Sequence, residues 1–121
     1  VTCAGEPESV AVCHCVACQR RTGSAFGVSA WFERGQITGI EGRPTQFVRV
    51  ADSGGRVTSN FCPVCGATVY YEIDTVAGML AIPVGAFADP RFPEPQASIY
   101  HDSRRHPWIE IRTQGRLERR G

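Results

Sequence analysis

Two cysteine clusters carry the chemistry of this chain: Cys13-His14-Cys15-Val16-Ala17-Cys18 and Cys62-Pro63-Val64-Cys65-Gly66. They hold five of the six cysteines. Such close spacing suits several thiolates on one metal ion, not disulfide pairs. On a strand, Cys13 and Cys15 point to one side and His14 to the other, and Cys18 returns after a turn. Three sulfurs then converge, and His14 misses them. In the second cluster, Pro63 pre-sets one backbone angle and Gly66 supplies a positive φ after the second thiol. This is the pattern of a zinc knuckle; the plainer alternative is two buried free thiols beside a turn. Cys3 stands alone and receives no role.

Spacing leaves two arrangements open. One zinc takes four of the five clustered sulfurs, and the site is closed and structural. Or Cys13, Cys15 and Cys18 hold their own zinc and leave a fourth position for a substrate or water. Cys62 and Cys65 then belong to a second site and need partners. Three thiolates leave a divalent ion with a net negative charge, which blunts its power to activate water. A thiol entering the open position still loses its proton, because the metal stabilises the thiolate. An open site therefore favours thiol chemistry over hydrolysis.

The elements that must position these residues read mostly as strands. Ser9–Cys15 alternates, as does Ala25–Glu33, where Phe26, Val28, Ala30 and Phe32 share a face. Thr45–Ala51, Arg56–Phe61, Ala67–Asp74, Met79–Gly85 and Gln96–His101 are further strands. Val69, Tyr71 and Ile73 bury one face of theirs. Pro83 makes the Met79–Gly85 strand an edge or ends it. One helical turn is expected at Ala17–Arg21, stopped by Gly23. Asp89–Pro95, with three prolines, is a loop. Residues 1–113 form a single domain, and 114–121 form a polar, Arg-rich tail read as a solvated or frayed end.

Composition bounds the function classes. At 121 residues, 42% apolar, the chain has the size and make-up of one globular domain. No apolar run reaches the ~20 residues of a membrane span. The net charge of +1 argues against nucleic-acid binding. All 13 basic residues are Arg, and Asn60 is the only Asn, a codon bias expected of a GC-rich bacterial genome. Without Lys there is no Schiff-base chemistry. Clustered cysteines without a secretion signal point to a reducing cytoplasm.

Cys13–Phe26, reading CHCVACQRRTGSAF, resembles the CHCxxCRxxxGSAF signature of the glutathione-dependent formaldehyde-activating enzyme and centromere protein V family. Phe61–Gly66 matches that family's FCxxCG, Gly85–Pro90 resembles its GxLDDP, and Pro107-Trp108 its closing PW. The resemblance runs from about Val10 to Trp108 and rests mainly on the pairing of the two cysteine motifs. It implies a mostly β fold of coiled antiparallel sheets, the β-tent or Mss-four-like zinc fold, with at most short helical turns. It implies a catalytic zinc on Cys13, Cys15 and Cys18, and a structural zinc half held by Cys62 and Cys65. The family's upstream C-x-C-G motif, which completes that second site, is missing here. Its ligands either precede Val1 in a longer chain or have been rebuilt, so one zinc or two are expected. The implied reaction joins glutathione and formaldehyde into S-hydroxymethylglutathione, formally a carbon–sulfur lyase run in reverse. Ser98 stands where the family often has His.

Around the site, Arg20 and Arg21 have the planar fork that grips the carboxylates of a glutathione-like thiol, although solvation is the plainer reading. Thr22, Gly23 and Ser24 offer backbone donors beside them. Phe26, Trp31 and Trp108 wall a pocket or pack in the core. His101 and His106 flank the Arg-rich loop Ser103–Arg105. Arg20, Arg21, Ser24 and Phe26 are thus the candidate contacts for a small thiol, with a small aldehyde as its partner. A reading from another class remains: a non-catalytic, zinc-stabilised protein-binding module with a closed four-cysteine site.

Overall fold

The computed structural model describes residues 1–117; part of the tail read at 114–121 lies outside the described residues. Ten strands and two short helices run in the order β1 (Thr2–Cys3), β2 (Ser9–Cys13), α1 (Val16–Thr22), β3 (Gly27–Glu33), β4 (Ile37–Gly39), β5 (Thr45–Val50), β6 (Arg56–Phe61), β7 (Thr68–Ile73), β8 (Met79–Pro83), β9 (Ala97–Ile99), α2 (His101–Arg104) and β10 (Gly115–Leu117). Single 3-10 turns cover Arg34–Gln36 and Val84–Phe87. The fold is mostly β, as the alternating patterns require.

Eight strands form one sheet in the order β10-β9-β2-β3-β8-β7-β6-β5, and β1 pairs with β4 in a small second sheet. From β2 through β5 every pairing is antiparallel. At the other end β9 lies parallel to both β2 and β10, which differs from the all-antiparallel expectation. Neither of these neighbours joins β9 by a hairpin, so the topology leaves parallel pairing open to it. Gly115–Leu117 of the tail is thus held in the sheet.

The central strands β3 and β8 are buried on both faces. Val10, Ala30, Phe32, Leu80 and Ile82 pack together on one side. Trp31, Val57, Tyr71, Ile73 and Ala81 pack on the other. Pro83 ends β8 rather than placing it at an edge: β8 lies between β3 and β7. The 89–95 loop is pinned where Phe92 stacks on Phe87 at 4.6 Å, and Phe87 in turn meets Phe32.

Candidate metal centre and its cleft

β2 ends at Cys13, earlier than alternation suggested, because the chain there turns into a helix. Cys15 is the N-cap of α1, and its sulfur accepts the backbone N–H of Cys18 at 3.3 Å. A sulfur thus fills the capping role usually taken by a side-chain oxygen. The helix stops at Gly23, in the left-handed conformation (φ 69°), whose N–H returns to the Gln19 carbonyl. Strand end, cap and first helical turn therefore deliver Cys13, Cys15 and Cys18 to one point. Their sulfurs lie within 4.8 Å of one another. Tetrahedral zinc, with Zn–S near 2.3 Å, sets sulfurs about 3.8 Å apart, so the donor set suits a metal ion with small adjustments. Cys13 and Cys18 are buried and Cys15 is half-buried.

His14 lies apart from the sulfurs, as alternation predicted. It is fully buried, and its Nε2 meets the Ser98 hydroxyl at 2.9 Å. The same hydroxyl meets Nδ1 of buried His101 at 2.8 Å. Nδ1 of His14 has no partner. Burial lowers the His14 pKa, and the charges of His101, Arg105 and His106 act the same way. A backbone clamp fixes the segment further: His14 N–H donates to the Ile99 carbonyl, and its own carbonyl accepts from Gln19.

The three sulfurs form part of the wall of a cleft completed by Ala17, Arg21, Arg49, Ala51, Asp52, Ser53, Val57, Ser59, Tyr71, Ile73 and Tyr100. The space that water-sized molecules can occupy there is ≈ 50 Å³. A water needs about 10–15 Å³ on that measure, so the cleft admits only a few small molecules. It shares Ala17, Arg21, Arg49, Asp52 and Ser59 with a broader groove of ≈ 810 Å³, which adds Arg20, Phe47, Val50 and Phe61. Arg21 lies over the Tyr71 ring at 5.1 Å, and its Nη2 is buried without a partner. A half-buried guanidinium lining the same cleft as three thiols fits a centre whose net charge becomes negative on metal binding. Burial raises the Tyr100 pKa, and the nearby Asp52, Cys15 and Cys13 add to the rise.

Cys62 and Cys65 lie elsewhere, at the β6–β7 turn. Cys62 N–H donates to the Ala67 carbonyl, and Gly66, at φ 76°, donates to the Cys62 carbonyl. Hydrogen bonds from the Cys65 and Val64 backbone and from the Cys65 thiol lower the Cys62 pKa. Among the described residues this pair joins no metal-competent group. Ser24 and Phe26 do not line the cleft or the groove. Phe26 packs 6.1 Å from His14, Trp31 lies in the core, and Trp108 is 74% exposed.

Arg49, Ser59 and Tyr100 escaped the sequence reading. Arg49 looks like any solvated strand residue, and the αL conformation of Tyr100 (φ 55°) has no sequence mark. The pairing of β5 with β6 carries Arg49 and Ser59 to the cleft, and β9, lying beside β2 with Ile99 opposite Cys13, carries Tyr100 there.

No curated protein matches the chain. A family model described as glutathione-dependent formaldehyde-activating enzyme matches residues 1–103, nearly the whole of the described fold and all of the cysteines. With the paired cysteine motifs and the three convergent sulfurs, that match places the chain in the glutathione-dependent formaldehyde-activating enzyme family, a family of lyase-type enzymes.

Proposed function

We propose that this protein joins a small thiol of the glutathione kind to formaldehyde or a close relative, at a zinc ion held by Cys13, Cys15 and Cys18. The observation that carries this reading is the cluster itself: three sulfurs within 4.8 Å, with no fourth cysteine among them, beside a cleft and an Arg-lined groove. Zinc, once bound, supplies a position where a thiol is held as its thiolate.

The groove accommodates the body of the thiol. Arg20, Arg21 and Arg49 offer forks for its carboxylates, and Phe47, Val50 and Phe61 offer apolar surface. The cleft takes the aldehyde, and its narrowness favours a one-carbon substrate. A sulfur–carbon bond forms as the carbonyl π bond opens, and the oxygen takes up a proton. Tyr100 and Ser59, both bearing hydroxyls, are among the residues lining that space; the Tyr71 hydroxyl is committed to Ser29 at 2.7 Å. Tyr100 is our choice of donor to the oxygen. The absence of a fourth clustered sulfur among the described residues weighs against the closed binding-module reading.

Cobalt substitution followed by titration with glutathione tests the proposal. A saturable shift of the ligand-field bands is expected. Bands that stay fixed as a four-thiolate spectrum would sink it.

A further inference from the structure

A second cleft, with no residue in common with the thiolate cleft, is built from the Arg-rich C-terminal segment. His101, Arg105, Ile109, Glu110, Ile111, Arg112 and Arg116 line a space of ≈ 520 Å³. We propose that it binds a small oxyanion of the phosphate or phosphomonoester class.

Three guanidinium groups face one carboxylate, Glu110, in this lining. Each Arg is placed differently. Arg105 is fixed from below: its Nη1 donates to the Ile109 carbonyl at 2.7 Å and to the Pro107 carbonyl at 3.4 Å. Its Nε is buried and has no partner, so a donor of an already oriented fork is unused. Arg112 is tethered from outside by Glu94, at 2.7 Å. Arg116 has no ion-pair partner among the described residues. β10 holds it, with Arg116 opposite Ser98 in the parallel pairing with β9.

The tail therefore does more than end the chain. Its pairing with β9 brings Arg116 into the wall of a cleft whose lining is mostly polar, beside the buried Ile109. A concave site with more cationic than anionic groups in its wall concentrates anions. Guanidinium forks on several sides match the oxygens of a tetrahedral oxyanion better than a lone carboxylate, which one fork satisfies.

Calorimetric titration of the full-length, metal-loaded protein with inorganic phosphate, then with glycerol phosphate, is the test. Saturable one-to-one binding is expected for both, weakening with salt. Arg116→Gln, an exposed change outside the core, is expected to weaken it about tenfold or more, the worth of one charge-assisted contact. Arg105→Gln is expected to weaken it further. No saturable binding, or binding undiminished in Arg116→Gln, overturns the proposal. So does binding lost on changing Arg20 and Arg49 instead, which places the anion in the thiol groove. Capture of a mixed-sequence oligonucleotide that free phosphate cannot displace also overturns it, by making this face a polyanion surface.

Discussion

Ser98 shows how much one buried hydroxyl can decide. It has a single proton and touches two imidazoles, His14 and His101. It can donate to one and must accept from the other. Nδ1 of His14 is buried without a partner, and an orphaned acceptor is tolerated better than an orphaned donor. His14 therefore carries its proton on Nε2 and donates to Ser98, which donates to Nδ1 of His101. Ser98→Ala removes the hydroxyl from both His14 Nε2 and His101 Nδ1 and is expected to cost about 2 kcal/mol or more, measured by denaturant unfolding. A loss below about 0.5 kcal/mol, the scale of an ordinary surface change, would refute the relay. At the other wall of the site, Tyr100→Phe is expected to lower kcat about a hundredfold and leave the KM for thiol nearly unchanged. An unaltered kcat would remove Tyr100 as the proton donor.

At the scale of elements, the junction of β2, α1 and β3 sets the site. Cys13 ends β2, Cys15 caps α1 and Cys18 sits in its first turn, so the three convergent sulfurs are fixed by a strand-to-helix transition. Gly27, the first residue of β3, lies opposite Cys13. A Cβ there would stand 2.9 Å from Nη2 of Arg21 and 3.5 Å from Cβ of Cys18. The Arg21 head is the flexible end of a long side chain, so it moves before the backbone does. Gly27→Ala is expected to fold with a melting temperature within a few degrees of the parent. Its affinity for thiol should fall about tenfold, because Arg21 loses its seat on Tyr71. Unchanged thiol affinity would show that the Arg21 position is incidental.

Over the whole molecule, the two largest core clusters, around Phe32 and Leu80 and around Trp31 and Tyr71, are separate from the cluster that holds the cysteines. Chelation of the metal is therefore expected to leave the far-ultraviolet β signal largely intact, lower the melting temperature and abolish thiol binding. Complete loss of the β signal would instead make the metal at Cys13, Cys15 and Cys18 a folding requirement.

The strands were legible because burial on a pleated sheet writes a period of two. Arg56–Phe61 matched residue for residue, and most others shifted only at their ends. The convergence of Cys13, Cys15 and Cys18 was legible because their short spacing leaves the three sulfurs little room to part, and the cysteine pairing carried the family. Two kinds of feature were not. β9 and β10 are short, and their parallel pairing depends on partners far away in sequence, so no local pattern marks it. Arg49, Ser59 and Tyr100 reach the cleft, and Ser24 and Phe26 miss it, for the same reason. The sequence by itself determined the β architecture and the convergent cysteine trio, since both are written in local spacing. Only the tertiary structure decided which side chains surround the three sulfurs and which distant arginines share a cleft, because those neighbours meet through sheet order, which no single segment encodes.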